Sequence, residues 1–475
     1  MPASPVATVD IERLSPEGDG VGRLDGREVV VPRVIPGERV RVQVRATRDG
    51  RLEGEVVEVV SPSRHRITPR CRHFGPCGGC AWQHIDYPEQ LRLKQVQLQH
   101  LLDREMGARA PRVSPTVPSP ARAGEAMPWG YRNKVSFVFA PGDERGDSVV
   151  MGHFWRGSRR VLPVVECPVH AETGNRVAFT LRDALRRARV PGATPDGAAG
   201  IARHVVVRVG EHTADWLATL VVTENVKALR RVTPQFLAKV TGRPAPADSG
   251  AGGETRTGFH LNLHDRDDPF LFGRTTRRLH GAPEIRERVA GVTFLLAPTA
   301  FFQTNVRVAS AMAEGVLDAL PSDAFPRVLD LYSGVGLFAL PIAARGAFVT
   351  AVEENRDAVA AAESARRFNR LPESRLKLLA ARVEDALPRI TARTTAEGFD
   401  AVVVDPPRQG CPPVVLDWIL RRVQPRLLVY VSCNPAALAG DLAAALAAGY
   451  TAGEVRPFDM FPHTAHIESI ALLSR

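Results

Sequence analysis

The sequence predicts a multidomain protein with an N-terminal β-barrel, an α+β central domain and a C-terminal α/β domain. Three observations carry this expectation. Residues 39–45 alternate strictly between Arg or Gln and Val, which is the two-residue period of a half-buried strand. Four of the six cysteines fall between positions 71 and 167. From about residue 285, apolar strand-like runs alternate with helix-like runs, the pattern of a mostly parallel sheet covered on both faces.

The bulk properties bound the class. The chain has 475 residues, of which 44% are hydrophobic and 24% charged, enough to build several ordinary globular cores. No apolar run reaches membrane-spanning length, and the N-terminus (MPASPVATVDIERL) lacks the ordered charged, apolar and small-residue regions of a signal peptide. A cytoplasmic protein without membrane attachment is expected. The formal net charge of +10 fits a polyanionic partner. In such a compartment the cysteines read as buried, metal-binding or catalytic, and not as disulfides.

Residues 1–62 are expected to form a five-stranded, OB-like barrel, because their apolar runs are broken by Pro-Gly and Asp-Gly turns. Val40, Val42 and Val44 would face inward, with Arg39, Arg41, Gln43 and Arg45 outward. That outer face reads equally as solvated or as RNA-facing. Residues 63–284 form the central domain. Within it, 87–106 reads as a helix with Leu91, Val96, Leu98 and Leu101 on one stripe, 178–190 as a helix and 201–223 as a strand pair. The Gly/Pro/Ala/Ser-rich stretch 242–258 reads as a mobile surface loop. Residues 285–475 form the third domain. "RVLDLYS", "FVTAVEE", "FDAVVVDPP" and "PRLLVYVSC" are its strands, and "GLFALPIAARG", "RDAVAAAESARRFN" and "PPVVLDWILRRV" its helices.

The third domain carries a cofactor signature. In "VLDLYSGVGLFALPIA" (328–343), Gly334 and Gly336 allow a tight strand-to-helix turn close to a ligand. Glu353 ends the next strand, where an acid accepts hydrogen bonds from ribose hydroxyls, and Asp405 ends another. Three features at strand C-termini favour an adenosine-type cofactor. S-adenosylmethionine is preferred over a dinucleotide, because no third glycine follows. Cys433, in "SCNP", also ends a strand, and Asn434-Pro435 stops that strand at the cleft. A thiol there is space-filling, a metal ligand or a nucleophile. Cys71, Cys77 and Cys80 follow C-x5-C-x2-C spacing, and Cys167 in "VECPVH" is the fourth of the group. Such a set holds zinc or an iron–sulfur cluster.

"FFQTN" (301–305), "DLYSGVG" (330–336), "DPPR" (405–408), "SCNP" (432–435) and "FPHTAHIES" (461–469) occur in that order. Together they resemble the RNA uracil-C5 methyltransferase family, which uses S-adenosylmethionine to make 5-methyluridine in 23S rRNA or tRNA. The N-terminal barrel resembles a TRAM domain, and "CRHFGPCGGC" resembles the family's iron–sulfur segment. The resemblance implies a Rossmann-like methyltransferase domain at 285–475 and a [4Fe–4S] cluster on Cys71, Cys77, Cys80 and Cys167. It matches Gln303, Tyr332, Glu353 and Asp405 to cofactor-binding positions, with Gly334 and Gly336 in the turn. It matches Cys433 to the nucleophile and Glu468 to the general base, against His463 and His466 as rivals. Arg132 and Lys134 in "YRNKVSF", and Phe301, are expected to contact RNA. A barrel together with these cysteines resembles the 23S rRNA enzymes, with tRNA the alternative substrate, and no obligate protein partner is implied. Cys411 matches no required position and reads as structural.

Overall fold

The computed structural model describes residues 5–47, 50–142, 148–240, 255–266, 268, 270–394 and 398–475, with backbone only for 391–394. Five strands, β1 (Val6–Leu14), β2 (Gly20–Leu24), β3 (Arg27–Val31), β4 (Arg39–Ala46) and β5 (Leu52–Ser61), close into a barrel in the order β1-β2-β3-β5-β4. Val40, Val42 and Val44 point into its core with Val9, Ile11, Val29 and Val31. The outward arginines meet acids on neighbouring strands: Arg39 with Asp10 at 2.7 Å, Arg41 with Glu58 at 3.0 Å and Arg45 with Glu53 at 3.0 Å. Exposed pairs of this kind add little stability. They do give this face its own countercharges, which favours the solvated reading.

Helix α1 (Tyr87–Met106) starts at Asp86, whose side chain accepts the Glu89 N–H, and has Pro88 in its first turn. Its most buried line is Gln90, Lys94, Leu98 and Leu102, one residue every four. The expected stripe is therefore displaced, and Leu91, Val96 and Leu101 are only half-buried. The reason is that two polar side chains find partners inside. Lys94 Nζ donates to Asp459 Oδ1 at 2.5 Å, to Phe461 O at 3.2 Å and to His466 O at 2.8 Å. Tyr87 Oη donates to the other Asp459 oxygen at 2.8 Å. Gln90 Nε2 donates to Trp82 O and Ile85 O, while its Oε1 accepts the His463 N–H at 2.9 Å.

The central sheet has seven strands, β6 (Lys134–Pro141), β7 (Val149–Phe154), β8 (Val161–Pro163), β9 (Ala202–Val209), β10 (Trp216–Val222), β11 (Thr257–Leu263) and β12 (Thr275–Gly281), ordered β12-β11-β10-β9-β6-β7-β8. The expected strand pair is the antiparallel β9–β10. The expected helix falls mainly in α2 (Glu172–Arg187), which packs with α3 (Leu229–Val240) over Phe137, Val207 and Phe259. Of the 242–258 stretch, 242–254 lie outside the described residues, and Thr257 and Gly258 open β11.

A hairpin, β13 (Ile285–Val289) and β14 (Val292–Leu296), and helix α4 (Val306–Ala319) lead into the third unit. There β15 (Arg327–Leu331), α5 (Ala339–Ala344), β16 (Phe348–Glu353), α6 (Arg356–Phe368), β17 (Leu376–Ala380), α7 (Val383–Thr394), β18 (Ala401–Val404), α8 (Pro413–Trp418), β19 (Leu427–Ser432) and α9 (Pro435–Ala447) alternate. The chain ends in β20 (Thr451–Phe458) and β21 (Glu468–Ser474). The sheet order is β17-β16-β15-β18-β19-β21-β20. The first five strands are parallel, and β21 runs antiparallel to both neighbours. Valine-rich strands such as Ala401–Val404, buried at every residue, suit a sheet covered on both faces. One covering element is α1, which packs on α9 and buries Leu98, Leu102 and Met106 with Tyr430 and Leu442. Cys411 is buried in that core, its N–H shared between Tyr430 Oη and Asp441 Oδ2. Among the described residues, no helix is long and apolar enough to cross a membrane.

Lys94 and Asp459 are both fully buried, and removing one partner of such a pair strands the other charge. Lys94→Ala is expected to lower stability by about 3–5 kcal/mol, measured as the denaturant midpoint of the unfolding transition that includes α1.

Candidate active site

The pairing of β19 with β21 runs from Leu427 opposite Ser474 to Ser432 opposite Ser469. One step beyond the last pair come Cys433 on one strand and Glu468 on the other. The ladder register therefore sets these two residues across from each other. Cys433 is exposed, held between the end of β19 and Asn434, whose side chain caps α9 by accepting the Ala436 N–H. Asn434 Nδ2 also donates to Arg408 O at 2.8 Å, which ties the "SCNP" turn to the "DPPR" turn after β18.

Although the residue reaches solvent, partial desolvation raises the Cys433 thiol to about 11, with the Glu468 and Asp405 carboxylates adding to the shift and Arg408 opposing it. Glu468 is 5% exposed. Burial raises it to about 8, and Asp405 contributes. Asp405 is raised to about 7 by burial. These groups therefore titrate in and above the neutral range and as a set. His463 is fully buried and stacks on Trp129 at 4.1 Å, with Nε2 3.0 Å from Pro128 O. Burial lowers it to about 4. His466 lies edge-on to Phe461 and is also lowered by burial.

Further along the same carboxyl edge of the sheet, Glu353 accepts the Gly334 N–H at 2.9 Å on one oxygen and the Asn355 N–H at 2.8 Å on the other. Each oxygen keeps a further lone pair. Gly334 has φ +55 with nothing within 4 Å of where a Cβ would stand, and Gly336 has φ +86. Tyr332 is held at φ +61, a conformation that costs a non-glycine residue free energy, and its buried Oη has no hydrogen-bond partner among the described residues. Asp330, fully buried in β15, is pushed well above the usual carboxylate range by burial and then by Asp405 and Glu353. The site thus gathers carboxylates, an open glycine cradle and an unpaired phenol.

Gln303 lies between buried Phe302 and the Asn305 cap of α4, while Phe301 is 72% exposed. Asn305 Nδ2 donates to Ser119 Oγ and Met460 O, joining this loop to the segment before Glu468. Lys134 lies 5.6 Å over the Phe272 ring and is lowered to about 8 by burial and by Arg208. Arg132 does not share a strand face with it. It precedes β6 and lines a cavity with Cys71, Cys77, Cys80 and Cys167, its guanidinium 6.0 Å from the Phe461 ring.

The four cysteines are free thiols around that cavity. Burial raises all four, Cys80 to about 11 and Cys167 to about 12. Cys71 and Cys77 raise Cys80 further, and Cys80 and Cys71 raise Cys167. A single zinc ion would need its sulfurs about 4 Å apart. No three of these cysteines lie within 4.8 Å of one another. The N–H groups of Ala81 and Trp82, just after Cys80, donate to His463 O at 3.0 and 2.9 Å, and Tyr131 Oη donates to Pro462 O at 3.1 Å.

Residues 286–475 match the family described as tRNA (Uracil-5-)-methyltransferase, and residues 6–57 match the TRAM domain. An uncharacterized RNA methyltransferase of Gloeobacter violaceus is 36% identical over 469 residues, covering 98% of this chain and 96% of that protein. One from Halalkalibacterium halodurans is 30% identical over 468 residues, covering 98% and 96%. The crystal structure of Pyrococcus abyssi tRNA (uracil-54, C5)-methyltransferase in complex with S-adenosyl-L-homocysteine has a TM-score of 0.73 to this chain. It is 27% identical, with 98% of this chain and 99% of that one covered. The chain belongs to the RNA uracil-C5 methyltransferase family. As a member, it is an S-adenosylmethionine-dependent RNA methyltransferase with a TRAM barrel and a C-terminal methyltransferase fold.

Some residues that shape this methyltransferase's cleft were not singled out by sequence reasoning. Asp330 is an acid inside the apolar run "VLDL", and that interruption was its signal. Lys94 stands four residues from Leu98 on the buried helix line, a polar residue at a core position. The Asn434–Arg408 link joins residues 26 apart and left no local signal.

Iodoacetamide alkylation of Cys433, followed by mass spectrometry against pH, checks the electrostatics. The wild-type thiol should ionise far above neutrality. Glu468→Gln removes a negative neighbour that disfavours the thiolate, so the alkylation midpoint should fall and labelling at pH 10, where Glu468 is fully ionised, should rise severalfold. An unmoved midpoint would contradict the proximity of the pair.

Proposed function

We propose that Cys433 and Glu468 are the nucleophile and base of methyl transfer to C5 of an RNA uridine. The observation that carries this is the β19–β21 register, which sets them across from each other at the cleft. Uracil C5 is a poor nucleophile. The Cys433 thiolate adds to C6 and forms an S–C6 bond, which places carbanion character on C5. S-adenosylmethionine, when bound, supplies an electrophilic sulfonium methyl group. Transfer of that methyl to C5 would leave the neutral thioether S-adenosylhomocysteine; Glu468 takes the C5 proton, and the S–C6 bond breaks to release Cys433.

Cofactor binding would relieve part of the electrostatics that oppose ionisation of this pair. Gly334, Gly336 and Tyr332 form the cofactor turn, and Glu353 receives the ribose hydroxyls. Gln303 and Asp405 complete the cofactor set, and the surrounding carboxylates suit a ligand carrying positive charge. Asp405, once its charge is met by the cofactor's, no longer disfavours ionisation of Cys433 and Glu468. Burial of His463 in a ring stack supports Glu468 over that rival.

A stacked uracil cannot reach Cys433, so the base is taken unstacked or flipped. Phe301, exposed two residues before Gln303, is the stacking surface we assign to it. Lys134 contributes to RNA binding from the first residue of β6, whereas Arg132 acts from the cysteine cavity wall. The donor set of Cys71, Cys77, Cys80 and Cys167, spaced too widely for one ion, fits a [4Fe–4S] cluster held in residues 63–284. Such a cluster supplies cross-linking or electron storage, and methyl transfer routes nothing through it.

The combination of barrel and cysteines favours 23S rRNA as substrate, acted on in the cytoplasm. A tRNA uridine is the second reading, favoured by the full-length similarity to an archaeal tRNA enzyme. Labelled methyl transfer to 23S rRNA and tRNA from cells lacking the gene decides between them. Label in 23S rRNA at a mapped 5-methyluridine is expected, and label in tRNA alone would overturn the rRNA reading. Cys433→Ala should abolish transfer. Glu468→Gln should lower kcat by about 10²–10⁴ and accumulate a covalent protein–RNA adduct, read as a gel shift under denaturing conditions.

A further inference from the structure

The face of the central sheet opposite α2 and α3 carries a second cavity, of about 530 Å³, within the range of small-ligand pockets. It shares no lining residue with the cysteine cavity. The strand register builds it. Val138 on β6 pairs with His204 on β9 and with Gly152 on β7, and Phe154, two residues after Gly152, pairs with Val161 on β8. Paired residues and residues two apart share a face, so Val138, Phe154, Val161 and His204 project on one side. Phe137, Val205 and Val207 project on the other, into the core with α2 and α3.

The lining combines three kinds of group. Phe154 is 40% exposed and Phe270 68% exposed, and both line the cavity. Large rings left together in water mark a surface that receives a ligand. His204 Nδ1 is buried with no hydrogen-bond partner among the described residues, and such an atom calls for a partner from outside. Burial and Arg203 lower this imidazole to about 4, so it is neutral at pH 7 and offers one donor and one acceptor. Asp268, the acid in the lining, is already bound to His264 Nε2 at 2.9 Å and Arg266 at 3.3 Å. The exposed Arg159 is therefore open to an anion from solvent. The wall that carries Phe154 and Arg159 is fixed from behind by the cysteine loop. The Gly78 N–H donates to Phe154 O at 3.1 Å and the Arg156 N–H to Pro76 O at 2.9 Å.

The same sheet face leads to the reactive cleft. Four residues back along β6 from Val138, about 13 Å at strand spacing, Lys134 pairs with Arg208. Arg208 donates to Ala300 O, next in the chain to the exposed Phe301. Two cations thus stand between cleft and cavity. We propose that the cavity receives an unpaired base of the RNA substrate other than the target uridine, with Phe154 and Phe270 as stacking surfaces, His204 on the base edge and Arg159 on a flanking phosphate. Rings, a neutral edge-reading group and an arginine are the elements by which proteins hold unstacked RNA bases. A second base held here lets the enzyme select its uridine by what lies near it. The inference rests on the chain being an RNA methyltransferase and not on the roles of Cys433 and Glu468.

The test reads RNA affinity of the full-length protein by filter binding, which needs no methyl transfer. The probe is whichever of 23S rRNA and tRNA binds more tightly, cut to a fragment and made as a series with one abasic position in each member. At one position other than the target, loss of the base should weaken binding about tenfold in the natural chain and less than about twofold in Phe270→Ala. Phe270→Ala should itself weaken the intact fragment about tenfold, with an unchanged salt dependence. Arg159→Ala should instead lower the slope of log affinity against log salt by about 0.7. His204→Leu should erase any preference among bases at that same position. Phe270 and Arg159 are exposed, so their substitution leaves the cores intact. Affinity unchanged in both Phe270→Ala and Arg159→Ala, or no abasic position whose effect depends on Phe270, overturns the assignment and leaves the cavity to a protein segment. Should the cavity variants behave as expected while Cys433→Ala still transfers methyl, the reading of the reactive pair fails and the base pocket stands.

Discussion

A single buried ion pair joins the parts of this protein. Lys94 comes from α1, and Asp459 follows the last residue of β20. Burial works against the Lys94 charge, and the Asp459 carboxylate offsets that penalty. A buried pair of this kind adds little net stability compared with apolar packing, but it is intolerant of a missing partner. The remaining Lys94 protons go to the carbonyls of Phe461 and His466, so one ammonium spans the segment that leads into Glu468. The barrel is tied to the same place. Trp82 Nε1 donates to Gly18 O, and a Cβ on Gly18 would stand 2.7 Å from Ala465. Barrel, cysteine loop and catalytic segment thus meet around one helix.

Where pattern is local, the sequence was a good guide. The alternation at 39–45 became β4, with its valines inside. Beyond the β13–β14 hairpin, the βα repeat became a sheet with five parallel strands, because those strands are dominated by apolar residues that only a doubly covered sheet can bury. Legibility ended where partners are distant in sequence. The α1 stripe is displaced because Gln90 and Lys94 bury against residues near 460. Arg132, expected to contact RNA, lies in the cavity wall, since the chain there pairs with His170 before β6 begins. Asp330 lay inside a quoted motif, yet its environment depends on Asp405 and Glu353 from two other strands.

The cleft breaks rules that the rest of the chain keeps. Carboxylates gather with their ionisation disfavoured, Tyr332 and His463 sit at positive φ, and a thiol is placed beside acids that oppose its ionisation. Local conflicts of this kind concentrate at functional sites. They are sustained by the surrounding cores. Arg408 and the Asn434 cap fix the nucleophile's turn, and the strand ladder fixes the base.

That ladder has a consequence for how errors could arise. Adjacent residues in a strand are about 3.4 Å apart and point to opposite faces. A one-residue slip of β21 would therefore present Ser469 or Ile467 in place of Glu468, with the side chain turned away. Alignment of the reactive pair is digital: hydrogen-bond pairing admits whole-residue steps and nothing between them. A frame error near the C-terminus would erase this alignment completely.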